Sequence, residues 1–254
     1  VDRKVKALLN KLTVENFDSI SDQIIAWANR SEKETDGRTL IRVICLIFEK
    51  ATDEATWSEV YASLCRKMMK QISPRVQDEG IKNSRGKPIV GGQLFRKHLL
   101  NICQENFERG WATREASAAA ATTETINDQS VNTSQEYREV ALYSDEYYAA
   151  QKAKRRGLGL VKFIGELFKL QMLTERIMHK CLKKLISNTP QEVEIESLCK
   201  LLTTVGPKLD TAKSLARMNS YFDLLKEWMK NPQVNLRSKF MLQDVIELRE
   251  RTWQ

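Results

Sequence analysis

Apolar residues recur along this chain at helical spacing almost without interruption. From Thr39 to Ala51 they fall at Leu40, Val43, Ile44, Ile47, Phe48 and Ala51, an i, i+3, i+4, i+7 stripe that turns one helix face to a core. From Thr56 to Ile72 the same rule picks out Val60, Tyr61, Leu64, Met68 and Ile72. End signals punctuate the runs. Thr13 ahead of Val14-Glu15-Asn16, Thr174 ahead of Glu175, and Thr189-Pro190 each suit a helix start. Gly206-Pro207 suits the end of the helix that carries Ile195, Leu198, Leu201 and Leu202. The pattern predicts helices at 3–11, 14–30, 38–51, 56–72, 92–109, 145–171, 175–187, 191–205, 211–230 and 236–250. No stretch alternates with period two between hairpin turns, so no appreciable sheet is expected.

Taken in consecutive pairs, these helices form five units of roughly 30–45 residues, the spacing of stacked helical-hairpin repeats. The fold class is therefore all-α, an α-solenoid of about five HEAT-type antiparallel pairs; a plain bundle competes, but short helices in series suit a stacked array better. The whole chain, 1–254, reads as a single domain. It is interrupted by a solvated loop at 73–91 and by a polar, low-hydrophobicity insertion at 112–143 that is expected to be mobile. The opening Val1-Asp2-Arg3-Lys4 is no signal peptide and reads as cut from a longer chain.

Composition narrows the chemistry. The five cysteines (Cys45, Cys65, Cys103, Cys181, Cys199) sit apart in apolar helical contexts, which predicts buried, reduced thiols. With no CxxC and only His98 and His179, no metal site or cofactor is expected. Both histidines lie in charged helical contexts and read as surface imidazoles. No apolar run approaches the ~18–20 residues of a membrane span, so no membrane partner is expected.

One stretch invites a nucleotide: AKRRGLGLVKFIGELFKLQML at 153–173. A P-loop needs G-x-x-x-x-G-K-[ST], whereas Gly159 to Gly165 is one residue too long and Glu166 stands where the lysine belongs. A dinucleotide fingerprint fails too, because Lys162 occupies the third glycine position and a helix-forming run precedes it. The stripe Leu160, Phe163, Ile164, Leu167 and Phe168 explains the segment instead. Burying five such side chains is worth roughly 7–15 kcal/mol before entropy, against about 2–3 kcal/mol for three helical glycines. A packed helix is expected, with glycines where a neighbour comes close. With G-x-S-x-G also absent and no convergent carboxylate pair visible, the chain reads as a non-enzyme.

The formal net charge of +8 points to a polyanion or an acidic protein surface as partner. Residues 151–186 alone hold ten basic side chains against two acidic ones. Within them Lys154, Arg155, Arg156, Lys162 and Lys169 are candidate phosphate-backbone contacts, and a solvated helix face is the plain alternative. Tyr143, Tyr147 and Tyr148, just upstream, could stack on bases or simply pack. Any such binding would be RNA contact without sequence preference.

Several blocks carry a resemblance. KALLNKLTVENFD (6–18), LIFEKATDEATWSEVYASLC (46–65), RRGLGLVKFIGELFKLQMLTE (155–175), LCKLLTTVG (198–206) and KFMLQDVIELR (239–249) together resemble the middle-domain family of eukaryotic translation initiation factor 4 gamma, and SDEYYAAQKAKRRGLGL (144–160) looks most like its fungal members. The resemblance implies a crescent of five HEAT hairpins that is cytoplasmic and monomeric as an isolated domain. It implies a scaffold that docks the DEAD-box RNA helicase of initiation factor 4F, holds its two lobes half-open and so stimulates its ATPase, and binds RNA (mRNA) nonspecifically. Positions matching the family's helicase-contact motif are Leu9, Leu12 and Phe17 at the amino end and Phe240 at the carboxyl end, with Arg237 and Lys239 flanking Phe240. Leu9 and Leu12 also fit a core stripe with Val5 and Leu8. A sequence-nonspecific RNA-binding module with a secondary helicase contact is the other reading.

Overall fold

The computed structural model describes residues 1–124, 145–186 and 191–254, without the side chains of 111–124, 145–147 and 150. Among the described residues the chain forms ten α-helices: α1 Asp2–Leu9, α2 Phe17–Ala28, α3 Arg38–Asp53, α4 Ser58–Gln71, α5 Gly91–Glu124, α6 Asp145–Lys169, α7 Glu175–Ile186, α8 Glu192–Leu209, α9 Leu215–Lys230 and α10 Leu236–Glu250. They pack as the five consecutive pairs that the apolar pattern predicts. Both helices of the second pair pack on both helices of the third, and from there α6, α8 and α10 stack side by side in one file.

One hydrophobic core runs the length of the array. It includes Val5 and Leu9 of α1, Val43 and Ile47 of α3, Phe163 and Leu167 of α6, Leu198 and Leu202 of α8, and Leu242 and Val245 of α10. The glycine-bearing segment 153–173 lies in α6 and the turn after it, and its five stripe residues are buried. A Cβ on Gly159 would stand 2.0 Å from the Thr52 carbonyl oxygen, and one on Gly165 would stand 2.9 Å from the Thr204 methyl. These two glycines let α6 touch the backbone end of α3 on one side and α8 on the other. Arg66 and Arg96 donate to the carbonyls of Leu170 and Met172, holding the turn from α6 to α7, where Gln171 takes a φ of 60°.

Four expectations need correction. Helix α8 does not stop at Gly206-Pro207 but continues to Leu209 with Pro207 inside it. An internal proline costs about 3 kcal/mol, but Val205, Gly206 and Leu209 are buried there, and the Trp253 ring packs where a Gly206 side chain would stand. The 73–91 loop contains a two-stranded antiparallel hairpin, β1 Gln77–Lys82 and β2 Pro88–Val90, tied off by Asn83 Oδ1 accepting from the Arg85 and Lys87 amides. None of its strand residues is buried, β1 is polar except for Ile81 and β2 is only three residues long, so no period-two apolar signal existed to find. The two histidines are buried rather than superficial: His98 faces Asp78 of the hairpin, and His179 Nδ1 lies 3.2 Å from the Tyr221 hydroxyl of α9. Finally, α5 runs on to Glu124, into the 112–143 segment whose remainder, with Tyr143, lies outside the described residues.

All five cysteines are free; Cys65, Cys103, Cys181 and Cys199 are buried and Cys45 is half-buried. Burial pushes the Cys103 and Cys199 thiols up to about 12 and Cys181 up to about 11, so at neutral pH they stay protonated. No helix among the described residues is long and apolar enough to cross a membrane.

Candidate docking face

Two clefts lie end to end along one side of the array. The first, about 870 Å³, is bounded by Leu9 at the end of α1 and Leu12 and Thr13 after it, the end of α3 and the following 3-10 turn (Asp53 to Trp57), Tyr61 and Arg155. The second, about 470 Å³, is bounded by Leu158 and Lys162 of α6, Lys200, Thr203 and Thr204 of α8, and Met241, Asp244 and Val245 of α10. Ala55 and Thr56 line both clefts, so the two meet there and form one track from α1 to α10. The meeting point follows from local sequence: Glu54 ends α3, the Trp57 amide donates back to the Glu54 carbonyl, and the tight turn leaves its two small residues at the surface.

At the amino end the track rests on core residues. Leu9 is 2 % and Leu12 6 % exposed, so they form the floor of the first cleft as packed side chains rather than projecting contacts. Phe17 is half-buried at the start of α2, with Lys67 Nζ 5.6 Å over its ring. The apolar groups that do project here are Val14, 71 % exposed, and Trp57, 41 % exposed, which sequence reasoning passed over. Tyr61 buries its ring under the first cleft with its hydroxyl 3.1 Å from Glu54, and burial, with the Glu54 carboxylate beside it, raises its pKa well above the ordinary tyrosine value.

The carboxyl end is different. Phe240 is 57 % exposed, and Leu236, one turn earlier, is 69 % exposed beside it on α10. The helix carries two apolar stripes, since Leu242, Val245 and Ile246 face the core while Leu236 and Phe240 face out. That split was legible in the sequence, and Leu236 is the member it missed. Lys239 is half-buried and Arg237 is exposed next to this pair.

The basic candidates divide. Arg237, Lys154 and Lys200 converge on the buried carboxylate of Glu196, at 3.9, 3.6 and 3.2 Å, while Arg237 also pairs with Glu192 at 2.6 Å. A residue expected to meet RNA and one expected to meet the helicase thus share one carboxylate, which links α6, α8 and α10. Arg156 pairs with Asp53 at 3.0 Å, Arg155 donates to the Asp53 carbonyl, and Lys169 pairs with Glu166 at 2.8 Å, away from both clefts. Lys162 lines the second cleft without a carboxylate partner among the described residues, and Lys200 joins it there. Part of the positive charge that 151–186 displays as sequence, at Lys154, Arg156 and Lys180, is therefore balanced by acids from other helices.

Comparison with known proteins places this architecture. The family model described as the MIF4G domain matches residues 2–252. Over its full length the chain is 50 % identical to a eukaryotic translation initiation factor 4 gamma of Schizosaccharomyces pombe, of which it covers 17 %. Over 98 % of its length it is 40 % identical to the eukaryotic initiation factor 4F subunit p130 of Saccharomyces cerevisiae, covering 27 % of that protein. It is 39 % identical over 99 % of its length to mouse eukaryotic translation initiation factor 4 gamma 3, covering 14 % of it. Among solved structures, the MIF4G domain of Trypanosoma cruzi translation initiation factor EIF4G5 superposes with a TM-score of 0.54 at 20 % identity, covering 99 % of this chain and 95 % of that one. The chain thus spans about a quarter or less of these longer relatives, and it belongs to the MIF4G domain family.

Proposed function

We propose that this domain is a translation-initiation scaffold on which a DEAD-box RNA helicase docks along the track from α1 to α10. One helicase lobe rests on the first cleft, around Trp57, Phe17 and Val14, and the other on Leu236 and Phe240. The observation that carries the reading is the continuity of the two clefts through Ala55 and Thr56, which runs from the end of α1 to Met241 and Asp244 of α10, the latter one turn on from Phe240. Similarity to initiation factor 4 gamma proteins supports it independently.

Stimulation on this reading needs no chemistry from the scaffold. Holding both lobes raises the effective concentration of one near the other and shifts their population toward a half-open arrangement. The ATP belongs to the helicase, and the purified domain alone turns over nothing. RNA without sequence preference would follow the same face, with Lys162 as its freest cation and Lys200, Arg155, Arg156, Lys154 and Lys169 contributing less because carboxylates or carbonyls already hold them. Phosphate release by helicase, ATP and RNA, with and without the domain, tests the proposal. A rise with the domain, diminished by Phe240→Ala, is expected; no rise would sink it.

The RNA-binding module remains the second reading, favoured by Lys162 in the second cleft. Arg155→Glu, Arg156→Glu and Lys162→Glu together would then abolish function while leaving helicase capture intact. Loss of function on Phe240→Ala with normal RNA binding decides for the scaffold.

A further inference from the structure

Away from the track, a groove opens between α5 and α7. The α6–α8–α10 file is continuously packed, but α5 and α7 diverge and leave about 720 Å³ between them. Its floor is apolar: Leu100 and Phe107 from α5, Ile177 from α7, and Ile164 and Leu173 beneath. Ile164 follows Lys162 by two positions, about 200° around α6, so this groove and the second cleft use different sides of that helix.

The two walls differ in charge. The α7 wall carries Arg176, Lys180, Lys183 and Lys184, whereas Gln104 and Glu108 line the α5 wall. Lys180 reaches Glu108 across the groove at 3.9 Å, and among the described residues Arg176 and Lys183 meet no carboxylate. Cations in the last turn of a helix complement its dipole, which is reason enough for Lys183 and Lys184. That argument fails for Arg176, which sits in the first turn, where the dipole opposes a positive charge. Exposed beside an apolar groove and without that reason for its charge, Arg176 joins Lys180, Lys183 and Lys184 in a wall complementary to an acidic ligand.

We propose that the groove docks a short acidic amphipathic helix of another protein. The lining of each wall spans nine residues, 100–108 and 176–184, about 12 Å of helix or a little over two turns. An inserted helix of two to three turns would match it, with apolar anchors at i, i+3 or i+4 and i+7 on the floor and glutamates or aspartates along the α7 side. Nucleic acid fits less well, since a phosphate backbone has no use for Leu100 and Ile177 and gains nothing from Glu108.

The test uses the whole domain and a synthetic fluorescein-labelled 14-residue helix with leucines at those spacings and glutamates on one flank. Fluorescence anisotropy should report saturable binding that weakens as salt rises. A scrambled peptide of the same composition, and one with lysines for the glutamates, should bind at least tenfold more weakly. The exposed pair Arg176→Glu/Lys183→Glu should lower affinity at least tenfold with an unchanged melting temperature, and Gln104→Glu, which adds repulsion on the other wall, should lower it two- to fivefold. Equal binding of the scrambled peptide, or indifference to the charge reversal, overturns the proposal. So does loss on reversal of affinity for a labelled RNA 20-mer with peptide affinity intact, which would make the wall a nucleic-acid contact. Sedimentation showing a dimer dissolved by the reversal would make the occupant a second copy of this chain and overturn it equally.

Discussion

The two ends of the proposed docking track present apolar surface in opposite ways. At the amino end, the motif residues Leu9 and Leu12 are sunk in the core, and a cleft lies above them. At the carboxyl end, Phe240 and Leu236 stand out from α10 on a stripe of their own, while a separate stripe holds that helix in place. A short helix such as α1 has one apolar face and must spend it on folding, so its leucines can shape a partner site only from below. A longer helix can carry a second face for a partner. Motif membership alone does not distinguish a residue that touches a partner from one that supports the surface.

Substitutions should separate the two ends. Leu9→Ala removes a nearly fully buried side chain and should destabilise the domain by about 2–5 kcal/mol, with helicase binding lost only as far as folding is lost. Thermal denaturation beside a helicase pull-down checks this. Normal stability with abolished binding would make Leu9 a true contact and erase the contrast between the ends. Gly159→Ala, where α6 meets the end of α3, should cost roughly 1–3 kcal/mol or more, because the added methyl meets the Thr52 carbonyl, a backbone atom with little room to give. If the variant is as stable as the parent, the close approach of α6 to α3 is not a constraint on the array.

Phe240→Ala should do the reverse of Leu9→Ala. Its ring is mostly in solvent, so stability should change by no more than about 0.5 kcal/mol. Affinity for the helicase should fall about tenfold, or 1.4 kcal/mol, as for an aromatic anchor. Leu236→Ala should have a smaller effect of the same kind, and adding it to Phe240→Ala tests whether the pair acts as one patch. A titration of labelled helicase against each variant reads both.

The sequence discloses the helices and their pairing because every pair buries a stripe, and a stripe is a periodic signal. It hides the β1–β2 hairpin, whose strands bury almost nothing and are held by backbone and Asn83 hydrogen bonds. It misplaces the end of α8, since the partner that makes Gly206 a packing residue, Trp253, lies far along the chain. For the candidate site the loss is greater. Charge reads as a run in sequence, but the carboxylates that balance Lys154 and Arg156, Glu196 and Asp53, come from other helices and only folding brings them close. Leu236 and Phe240 were readable as residues out of phase with the core stripe, and Trp57 was not, because its exposure depends on how the 3-10 turn sits.

The histidines extend the comparison to pH with the smallest expected effect. His98, in the amino-terminal half, is held below the usual imidazole range by burial, which Asp78 partly opposes. His179, in the carboxyl-terminal half, is lowered by burial and by Arg217, with Glu175 opposing. In both cases the folded state favours the neutral ring, and the unfolded chain takes up a proton near pH 6.5. Between that value and the folded pKa the unfolded state holds more protons, so stability is unaffected above about pH 6.5 and falls as the solution is acidified. The slope is at most about 1.4 kcal/mol per pH unit for each histidine. Melting curves from pH 7.5 to 5 should show the decline, and His98→Asn and His179→Asn should each flatten part of it. His98, facing a carboxylate, should account for the shallower share. A larger flattening from His98→Asn would mean that Asp78 does not offset the burial of its ring, and that the hairpin is held to α5 by packing alone.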